Sequence, residues 1–270
     1  MIRKAGDRSN WMVKMLVYGA SDTGKTYTTS RLSEQHKVLI LDIEGGALSA
    51  PPNLIYCDFE DNKEVFDPTN AEKYPSLMMK ISTYGEAEQT LAYLRRNPDR
   101  FDIVVLDSIT ELQRRCADFV KTKGTTVIAD LDTLSLQGWG SLSEKFRTMI
   151  RGYRDLKSHV VFTALEQCLT DEESGLIRWM PLVEGRKTPF ELVGWMEIVA
   201  HSTKRERKVT AEGSGKVTAE GSGSKLVTER LFRFHSNGRE EAKVRGNLLE
   251  DEMPADLVKV FRQLLSQESG

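Results

Sequence analysis

Residues 19–26 read GASDTGKT and match the pattern G-x-x-x-x-G-K-[ST] at every fixed position. The glycines let the backbone approach phosphate oxygens closely, so that the N–H groups of the loop surround them. In such a loop Lys25 reaches the β- and γ-phosphates, and the hydroxyl of Thr26 binds Mg²⁺. We therefore predict a nucleoside triphosphate site, referred to below as the phosphate loop. Its residues are Gly19, Ala20, Ser21, Asp22, Thr23, Gly24, Lys25, Thr26 and Tyr27.

A second acid fits the same site. Asp107 directly follows the apolar run IVVL at residues 103–106. Ligands of open α/β sheets bind at the carboxyl ends of the strands, so we expect this carboxylate beside the phosphates, where it would hold the Mg²⁺ shell together with Thr26. Taken alone, an acid after a strand is more often a helix cap, but the phosphate loop favours the metal role.

A third acid has the position of a general base. Residues 41–46 read LDIEGG, at the end of another apolar run. Glu44 is predicted to position or deprotonate the water that attacks the γ-phosphate, and the two glycines after it allow a sharp turn. Asp42 is the rival, because residues two apart point to the same side of a strand. The predicted catalytic residues are Glu44, Lys25 and Asp107.

A sensor of the γ-phosphate is expected after a further apolar run, at residues 160–163. The chain continues as ALEQ, so a polar side chain there would lie beside the phosphates. We choose Gln167 for this role, with Glu166 as the alternative. As isolated residues, both are equally compatible with ordinary polar positions of a loop.

The elements that position these residues follow from hydrophobic patterning. Short apolar runs at 13–18, 38–43, 54–57, 103–106 and 160–163 predict strands, and several are apolar at nearly every position. Helical periods between them, at 86–96, 109–120 and 142–153, predict an α/β fold with a mostly parallel sheet flanked by helices. Residues 226–234 alternate like an exposed strand and are predicted to form a hairpin with 196–202. Residues 254–267 carry one apolar helical face.

We divide the chain into an N-terminal tail at 1–10, a core at 11–201, and a C-terminal part at 202–270 that packs on the core. The C-terminal part contains the hairpin and the terminal helix. The octapeptide KVTAEGSG at 208–215 is repeated at 216–223. It is too short and too rich in Gly and Ser for a solenoid repeat, and it predicts a solvent-exposed hairpin tip.

Composition narrows the class of protein. The 270 residues include 38 Lys and Arg against 40 Asp and Glu, a formal net charge of −2, which excludes a strongly basic nucleic-acid binder. Three scattered cysteines indicate neither a disulfide framework nor a zinc site. The apolar runs are too short to span a bilayer, and MIRKAGDRSN has no signal-peptide core. These features predict a soluble cytoplasmic protein without a membrane partner.

The order GASDTGKT, LDIEGG, IVVLDSIT and VVFTALEQ resembles the RecA-like recombination ATPases over residues 11–201. It is most similar to the small, phage-encoded, core-only members that act in single-strand annealing and recombination. The resemblance implies a RecA-like P-loop fold, ATP and Mg²⁺ as cofactors, single-stranded DNA as partner, and a homo-oligomer that is a ring or a filament. A phage-encoded protein would work in the host cytoplasm.

The resemblance also implies roles for particular residues. Glu44 corresponds to the catalytic glutamate, Asp107 and Ser108 to the conserved pair after the strand, and Gln167 to the sensor glutamine. The phage members often carry a histidine near the sensor, where this chain has Leu165.

Two DNA-facing loops are implied as well. The first falls at 121–140 with Trp139 at its end, although Trp139 equally fits a core anchor of its helix. The second falls at 168–187, and cations beside an aromatic ring suit single-stranded DNA. Its candidates are Arg178, Trp179, Arg186 and Lys187. The last two are also candidates for reaching the γ-phosphate of a neighbouring subunit. The basic cluster at 204–208 fits either a phosphate contact or a solvated hairpin edge.

Together these observations predict an oligomeric, Mg²⁺-dependent ATPase that binds single-stranded DNA and promotes annealing and homologous recombination. A single-strand-binding protein is a candidate partner. The first alternative is a nucleotide-gated helicase loader or a regulator of DNA replication and repair. A small-molecule P-loop kinase is less favoured, because no segment combines a cation-rich lid with an acceptor pocket.

Overall fold

The computed structural model describes residues 11–123, 134–170, 175–209, 225–246 and 248–266. Twelve strands lie in these ranges: β1 (Lys14–Gly19), β2 (Val38–Asp42), β3 (Ile55–Asp58), β4 (Leu77–Lys80), β5 (Ile103–Asp107), β6 (His159–Ala164), β7 (Glu166–Thr170), β8 (Ile177–Pro181), β9 (Ile198–Val209), β10 (Lys225–Arg233), β11 (Lys243–Val244) and β12 (Glu252–Pro254). The helices there are α1 (Lys25–Ser30), α2 (Asn62–Val65), α3 (Tyr84–Arg96), α4 (Ile109–Lys123), α5 (Leu136–Arg154), α6 (Thr188–Trp195) and α7 (Leu257–Ser266).

Ten of the strands form one sheet in the order β12-β10-β9-β1-β6-β5-β2-β4-β3, with β11 also paired to β9. The strands from β9 to β3 in this order run parallel, whereas β10, β11 and β12 are antiparallel to their neighbours. The predicted fold class is confirmed, because the sheet is mostly parallel and helices flank it. The carboxyl ends of β1, β2, β5 and β6 therefore meet at one edge.

Helices cover both faces of the sheet. On one face Leu16 belongs to a buried cluster with Leu91 of α3 and Phe146 of α5. On the other face Val17 packs in a second cluster with Phe261 of α7. Successive residues of a strand point to opposite faces, which is why adjacent residues of β1 belong to different clusters. None of the helices in the described ranges combines the length and the apolar character needed to cross a membrane.

The C-terminal part contains the predicted hairpin and terminal helix, but its boundary differs from the prediction. β9 and β10 pair as an antiparallel hairpin, and α7 follows it. The boundary placed after residue 201 falls inside β9, which continues from the sheet into the hairpin. The tail at 1–10 and the repeat residues 210–223 lie outside the described residues.

The two loops expected to face DNA have a different structure. The segment expected as a loop at 168–187 contains the strands β7 and β8, which pair as a separate antiparallel hairpin, and it ends at the start of α6. Both ends of the segment at 121–140 are helical, because α4 extends to Lys123 and α5 begins at Leu136. Trp139 is therefore a helical residue, and residues 124–133 lie outside the described ranges. The short strands β4, β11 and β12 were also not predicted.

The three cysteines differ in exposure. Cys57 and Cys116 are buried, and burial raises the pKa of each thiol to about 12. Cys168 on β7 is exposed. Reaction requires an accessible thiolate, so Cys168 is expected to react with thiol reagents well before the other two.

His159, the first residue of β6, predicts a pH dependence of folding. Its Nδ1 accepts a hydrogen bond from the Val13 N–H at 3.0 Å, and its ring meets Phe261 edge-on at 5.8 Å. Burial, assisted by the charges of Lys14 and His36 and opposed by Asp102, lowers the pKa of His159 to about 4. The folded protein therefore keeps this ring neutral at pH values where the unfolded chain binds a proton. Its contribution to stability is complete above about pH 6.5 and declines as the pH falls towards 4.

We expect the wild-type protein to lose about 3 kcal/mol more stability than His159→Asn between pH 7.5 and pH 4. Asparagine retains an acceptor oxygen near the position of Nδ1 but does not titrate. Urea unfolding at a series of pH values measures the difference, and parallel stability curves for the two proteins would contradict it.

Candidate nucleotide site

The phosphate loop connects β1 to α1. Two of its residues have left-handed backbone, Asp22 with φ 65° and Gly24 with φ 86°. Gly19 has no room for a side chain, because a Cβ atom there would lie 2.2 Å from the backbone oxygen of Ser202 on β9. The loop therefore starts from a strand held closely between two neighbours, β6 and β9.

Lys25 is the cation of this loop and is only 7% exposed. Its Nζ donates to the carbonyl oxygens of Gly19 at 2.9 Å and Ala20 at 2.8 Å. Burial lowers the pKa of Lys25, and the charges of Glu44, Asp107 and Glu166 act in the opposite direction. The Lys25 ammonium thus donates to two neutral carbonyl oxygens within the loop. A charged phosphate oxygen would accept a stronger hydrogen bond from it than either carbonyl does.

Asp107 lies beside Thr26 at the end of β5. The Thr26 hydroxyl donates to Asp107 Oδ2 at 2.6 Å, and the Thr163 hydroxyl on β6 donates to Asp107 Oδ1. Asp107 is 1% exposed. Burial raises the pKa of its carboxyl group, and the two hydroxyl donors oppose that shift. The sheet thus brings two candidate oxygen ligands together from segments 81 residues apart.

The two acids at the end of β2 and just after it have different environments. Asp42 is buried, and its Oδ1 accepts from the N–H groups of Gly45 and Gly46, both at 2.8 Å, so it shapes the turn. Glu44 is exposed and lines a cavity of about 320 Å³ together with Lys25 and Thr26. Of the two acids, Glu44 has the position from which a carboxylate can face bound phosphates.

The rim of this cavity carries an aromatic side chain. Tyr27 lines the cavity and is 53% exposed, and the Arg31 guanidinium lies 5.8 Å from the centroid of its ring. Leu165 lines the same cavity. The remaining phosphate-loop residues in its lining are Ser21, Asp22 and Gly24.

The two sensor candidates lie in different places. Glu166 contacts His201, and its charge acts on Lys25. Gln167 Nε2 donates to the carbonyl oxygens of Pro181 at 2.9 Å and Val183 at 3.4 Å, at the base of the β7–β8 hairpin. It lines a second cavity, of about 650 Å³. Glu166 is thus the candidate whose charge acts on Lys25, whereas Gln167 bonds backbone groups at the base of the β7–β8 hairpin.

The β9–β10 hairpin also touches the phosphate loop. Lys204 of β9 and Arg230 of β10 are register partners, and both form ion pairs with Asp22. Arg230 Nη2 lies 3.4 Å from Asp22 Oδ1. Because all three side chains are substantially solvent-exposed, we expect a small contribution to stability from these pairs. Part of the basic cluster at 204–208 is thus engaged with the loop.

The four residues predicted to contact DNA differ in burial and in their partners. Trp179 is half-buried, packs against the core, and has its backbone N–H bonded to the Arg239 carbonyl at 2.6 Å. Arg178 pairs with Glu241 at 3.2 Å. Arg186 and Lys187 are exposed, and neither forms an ion pair within the described parts of the chain.

Two aromatic residues line cavities other than the one at the phosphate loop. Trp139 is 38% exposed and lines a cavity with Gln113 and Leu182, away from the phosphate loop. Phe190 of α6, which sequence reasoning missed, is 48% exposed and lines the same 650 Å³ cavity as Arg178 and Arg186. Its sequence signal is weak, because one apolar residue near a helix start fits a core position equally well.

The chain matches, over residues 12–245, the family model described as an AAA domain. The chain belongs to this AAA-domain family. The AAA domain is an ATPase domain, so this chain contains an ATPase domain. A comparison with curated proteins finds no match.

Solved structures give partial overlaps at low identity. A KaiC-like protein from Pyrococcus horikoshii OT3 is 12% identical, with 90% of this chain and 84% of that one covered and a TM-score of 0.41. The RadB recombinase is 14% identical, with coverages of 86% and 91% and a TM-score of 0.40. An ATPase from the type III secretion system of pathogenic bacteria is 12% identical, with a TM-score of 0.40. The match covers 71% of this chain and 52% of that ATPase, about half its length.

Proposed function

We propose that this ATPase is Mg²⁺-dependent, binds single-stranded DNA, and promotes annealing in homologous recombination as a ring or filament of identical subunits. The observation that supports DNA binding is the cavity between the β7–β8 hairpin and α6, where Arg178, Arg186 and Phe190 lie together. The motif order shared with the small phage-encoded members supports the step in recombination.

Different residues of the chain have different roles in ATP hydrolysis. Lys25 and the N–H groups of the phosphate loop hold the β- and γ-phosphates. Glu44 faces the same cavity and takes a proton from the water that attacks the γ-phosphate. Arg186 or Lys187 of a neighbouring subunit stabilises the charge that develops on the γ-phosphate in the transition state.

The ligands Thr26 and Asp107 suit Mg²⁺. This ion takes one or two protein oxygens and completes its shell with phosphate and water, and the two oxygens here are 2.6 Å apart. In the ranges that the structure describes, no group of three or more His, Cys, Asp or Glu side chains is arranged to hold a metal. A Mg²⁺ ion held by Thr26 and Asp107 would neutralise charge on the β- and γ-phosphate oxygens.

Thr163→Val tests the support of this metal site. The substitution keeps the shape of the buried side chain but removes the hydroxyl that donates to Asp107 Oδ1. We expect the Mg²⁺ concentration for half-maximal hydrolysis to rise about tenfold, because a ligand that loses its supporting hydrogen bond holds the metal less well. Thr90→Val is the control, since this buried hydroxyl bonds the Glu86 carbonyl within α3. Equal Mg²⁺ requirements in both variants would contradict the role of Thr163.

The DNA proposal depends on free cations beside an aromatic ring. Phosphates attract the guanidinium of Arg186 and the ammonium of Lys187, and a base stacks on the exposed face of Phe190. Trp179 is less suited to stacking, because its ring packs against the core and its backbone is fixed on both sides. Arg178 is available in part, since Glu241 already pairs with it.

The test is steady-state ATP hydrolysis with Mg²⁺, with and without single-stranded DNA, at several salt concentrations. We expect stimulation by single strands in the wild-type protein and its loss in the double variant Arg186→Ala, Lys187→Ala. Direct binding should show a salt dependence whose logarithmic slope falls by about 1.4 when two phosphate contacts are removed. The matched control is Lys37→Ala, Lys157→Ala, two exposed cations that precede β2 and β6 and so lie at the opposite edge of the sheet.

Hydrolysis that is indifferent to single strands would contradict DNA binding and favour the nucleotide-gated loader or regulator. A dependence of hydrolysis on protein concentration without DNA, lost in the Arg186 and Lys187 double variant, would support the role of these cations between subunits.

A further inference from the structure

His201 is a buried histidine on β9 that contacts two neighbouring strands at once. Its side chain is 5% exposed, and its Nε2 lies 2.7 Å from Glu166 Oε2, close enough for the ring N–H to donate to the carboxylate. The ring stacks on Tyr18, with centroids 4.7 Å apart and an interplanar angle of 16°. His201 thus joins the strand before the phosphate loop to the first residue of β7.

Glu166 is the partner that lies next to the nucleotide site. It follows Leu165, which lines the nucleotide cavity, and its negative charge acts on Lys25. A γ-phosphate held by Lys25 would bring further negative charge towards this carboxylate, and like charges at short range repel each other. The position of Glu166 should therefore depend on whether a γ-phosphate is present.

The Nδ1 side of the His201 ring lies near residues that contact the β7–β8 hairpin. Its Nδ1 is buried and lies 3.7 Å from Glu240 Oε2, which is too long for a hydrogen bond. Arg233 fixes Glu240 through contacts of 2.7 and 2.8 Å. The residues on either side of Glu240 bond the backbone of Trp179 in β8.

Tyr18 reinforces this junction. Its hydroxyl lies within hydrogen-bond distance of two carbonyl oxygens, that of Trp179 at 3.0 Å and that of Glu241 at 2.9 Å. The ring that stacks on His201 thus also contacts β8. A displacement at Glu166 reaches both strands of the hairpin, since Glu166 begins β7 and the residues around His201 hold β8.

We propose that His201 is a positioning residue that holds the Glu166 carboxylate towards the phosphate end of the nucleotide site and couples its position to the β7–β8 hairpin. The proposal rests on the sensor role of Glu166 and does not require that the hairpin bind DNA.

Cys168 provides the readout. It is the exposed cysteine, it lies on β7, and it is the register partner of Trp179. The rate of its reaction with a maleimide, with Mg²⁺ and either ADP or a non-hydrolysable ATP analogue, reports the state of the hairpin. In the wild-type protein we expect the two rates to differ about fivefold or more. Cys168→Ser provides the blank for any slow reaction at the buried thiols.

Two substitutions separate the hydrogen bond from the ring. His201→Phe keeps an aromatic ring on Tyr18 but has no N–H for Glu166, and its two maleimide rates should become equal. His201→Gln places an amide N–H near the position of Nε2 and should restore most of the difference. In His201→Phe we also expect kcat for ATP to fall while KM stays within about threefold, because Lys25 and the phosphate loop are untouched.

Glu166→Ala is the second variant and changes a partly exposed side chain, so it tests the proposal even if the His201 variants fold poorly. It should lose the nucleotide-dependent difference to the same extent as His201→Phe, and the double variant should lose no more, because both remove one interaction.

Three results would overturn the proposal: equal maleimide rates in the wild-type protein, a wild-type difference in His201→Phe or Glu166→Ala, or a His201→Gln variant as defective as His201→Phe. Nucleotide-dependent rates at Cys168 without any stimulation by single strands would instead contradict the DNA proposal and leave the role of His201 supported.

Discussion

Replacing Glu44 by glutamine is expected to lower kcat for ATP hydrolysis by about 100-fold or more, because an amide cannot accept the proton of the attacking water. ATP should bind as well as before or more tightly, since the substitution removes a negative charge from a cavity that receives phosphates. Phosphate release measures the turnover, and calorimetry with ATP measures the affinity. A variant that hydrolyses ATP at the wild-type rate would show that another group activates the water.

Two further variants make this result specific. Asp42→Asn keeps an oxygen that can accept from the N–H groups of Gly45 and Gly46, and it should cost far less turnover than Glu44→Gln if Asp42 only shapes the turn. Glu72→Gln removes an exposed acid elsewhere on the surface and controls for the change in net charge. A larger loss in Asp42→Asn than in Glu44→Gln would reverse the two assignments.

Replacing Gly19 by alanine is expected to destabilise the protein by roughly 3 kcal/mol or more, because the new methyl group would lie 2.2 Å from a backbone oxygen of Ser202. No side-chain rotation can relieve this contact. β1 and β9 would have to separate, and the phosphate loop begins at the same residue, so ATP binding should weaken as well.

Gly140→Ala is the matched control for this prediction. Gly140 lies in α5, and a Cβ atom there has no neighbour within 4 Å, so alanine should stabilise the protein by about 0.5–1 kcal/mol. Urea unfolding of both variants measures the contrast. A Gly19→Ala protein as stable as the wild type would contradict the close pairing of β1 with β9.

The sequence predicted the parts of the fold that local patterns specify. Fully apolar runs such as β2 and β5 had to be strands buried on both faces, and the acids that end them lie at one edge of a parallel sheet by geometry alone. The juxtaposition of Thr26 and Asp107 therefore follows from motif spacing and sheet polarity.

The rest depends on contacts that no local pattern encodes. β7 and β8 are short, partly exposed strands that pair with each other outside the main sheet, so their sequences resemble a polar loop. The contact of His201 with Glu166 joins residues 35 positions apart on strands of different sheets. The different surroundings of Glu166 and Gln167, and the exposure of Phe190, depend on which side chains pack in the core.

The place of β1 in the sheet has a consequence for how the protein acquires its fold. Met15 pairs with Ile198, and the contact between Lys14 and Glu197 closes a separation of 183 residues. Closing such long loops is slow, and strands that wait for distant partners expose unpaired edges. During synthesis, the strand that carries the phosphate loop must therefore remain without one neighbour until β9 leaves the ribosome. We expect nascent chains that end before β9 to need chaperones and to lack an ATP site. Extension through β10 should produce the folded sheet and the ATP site in one cooperative step.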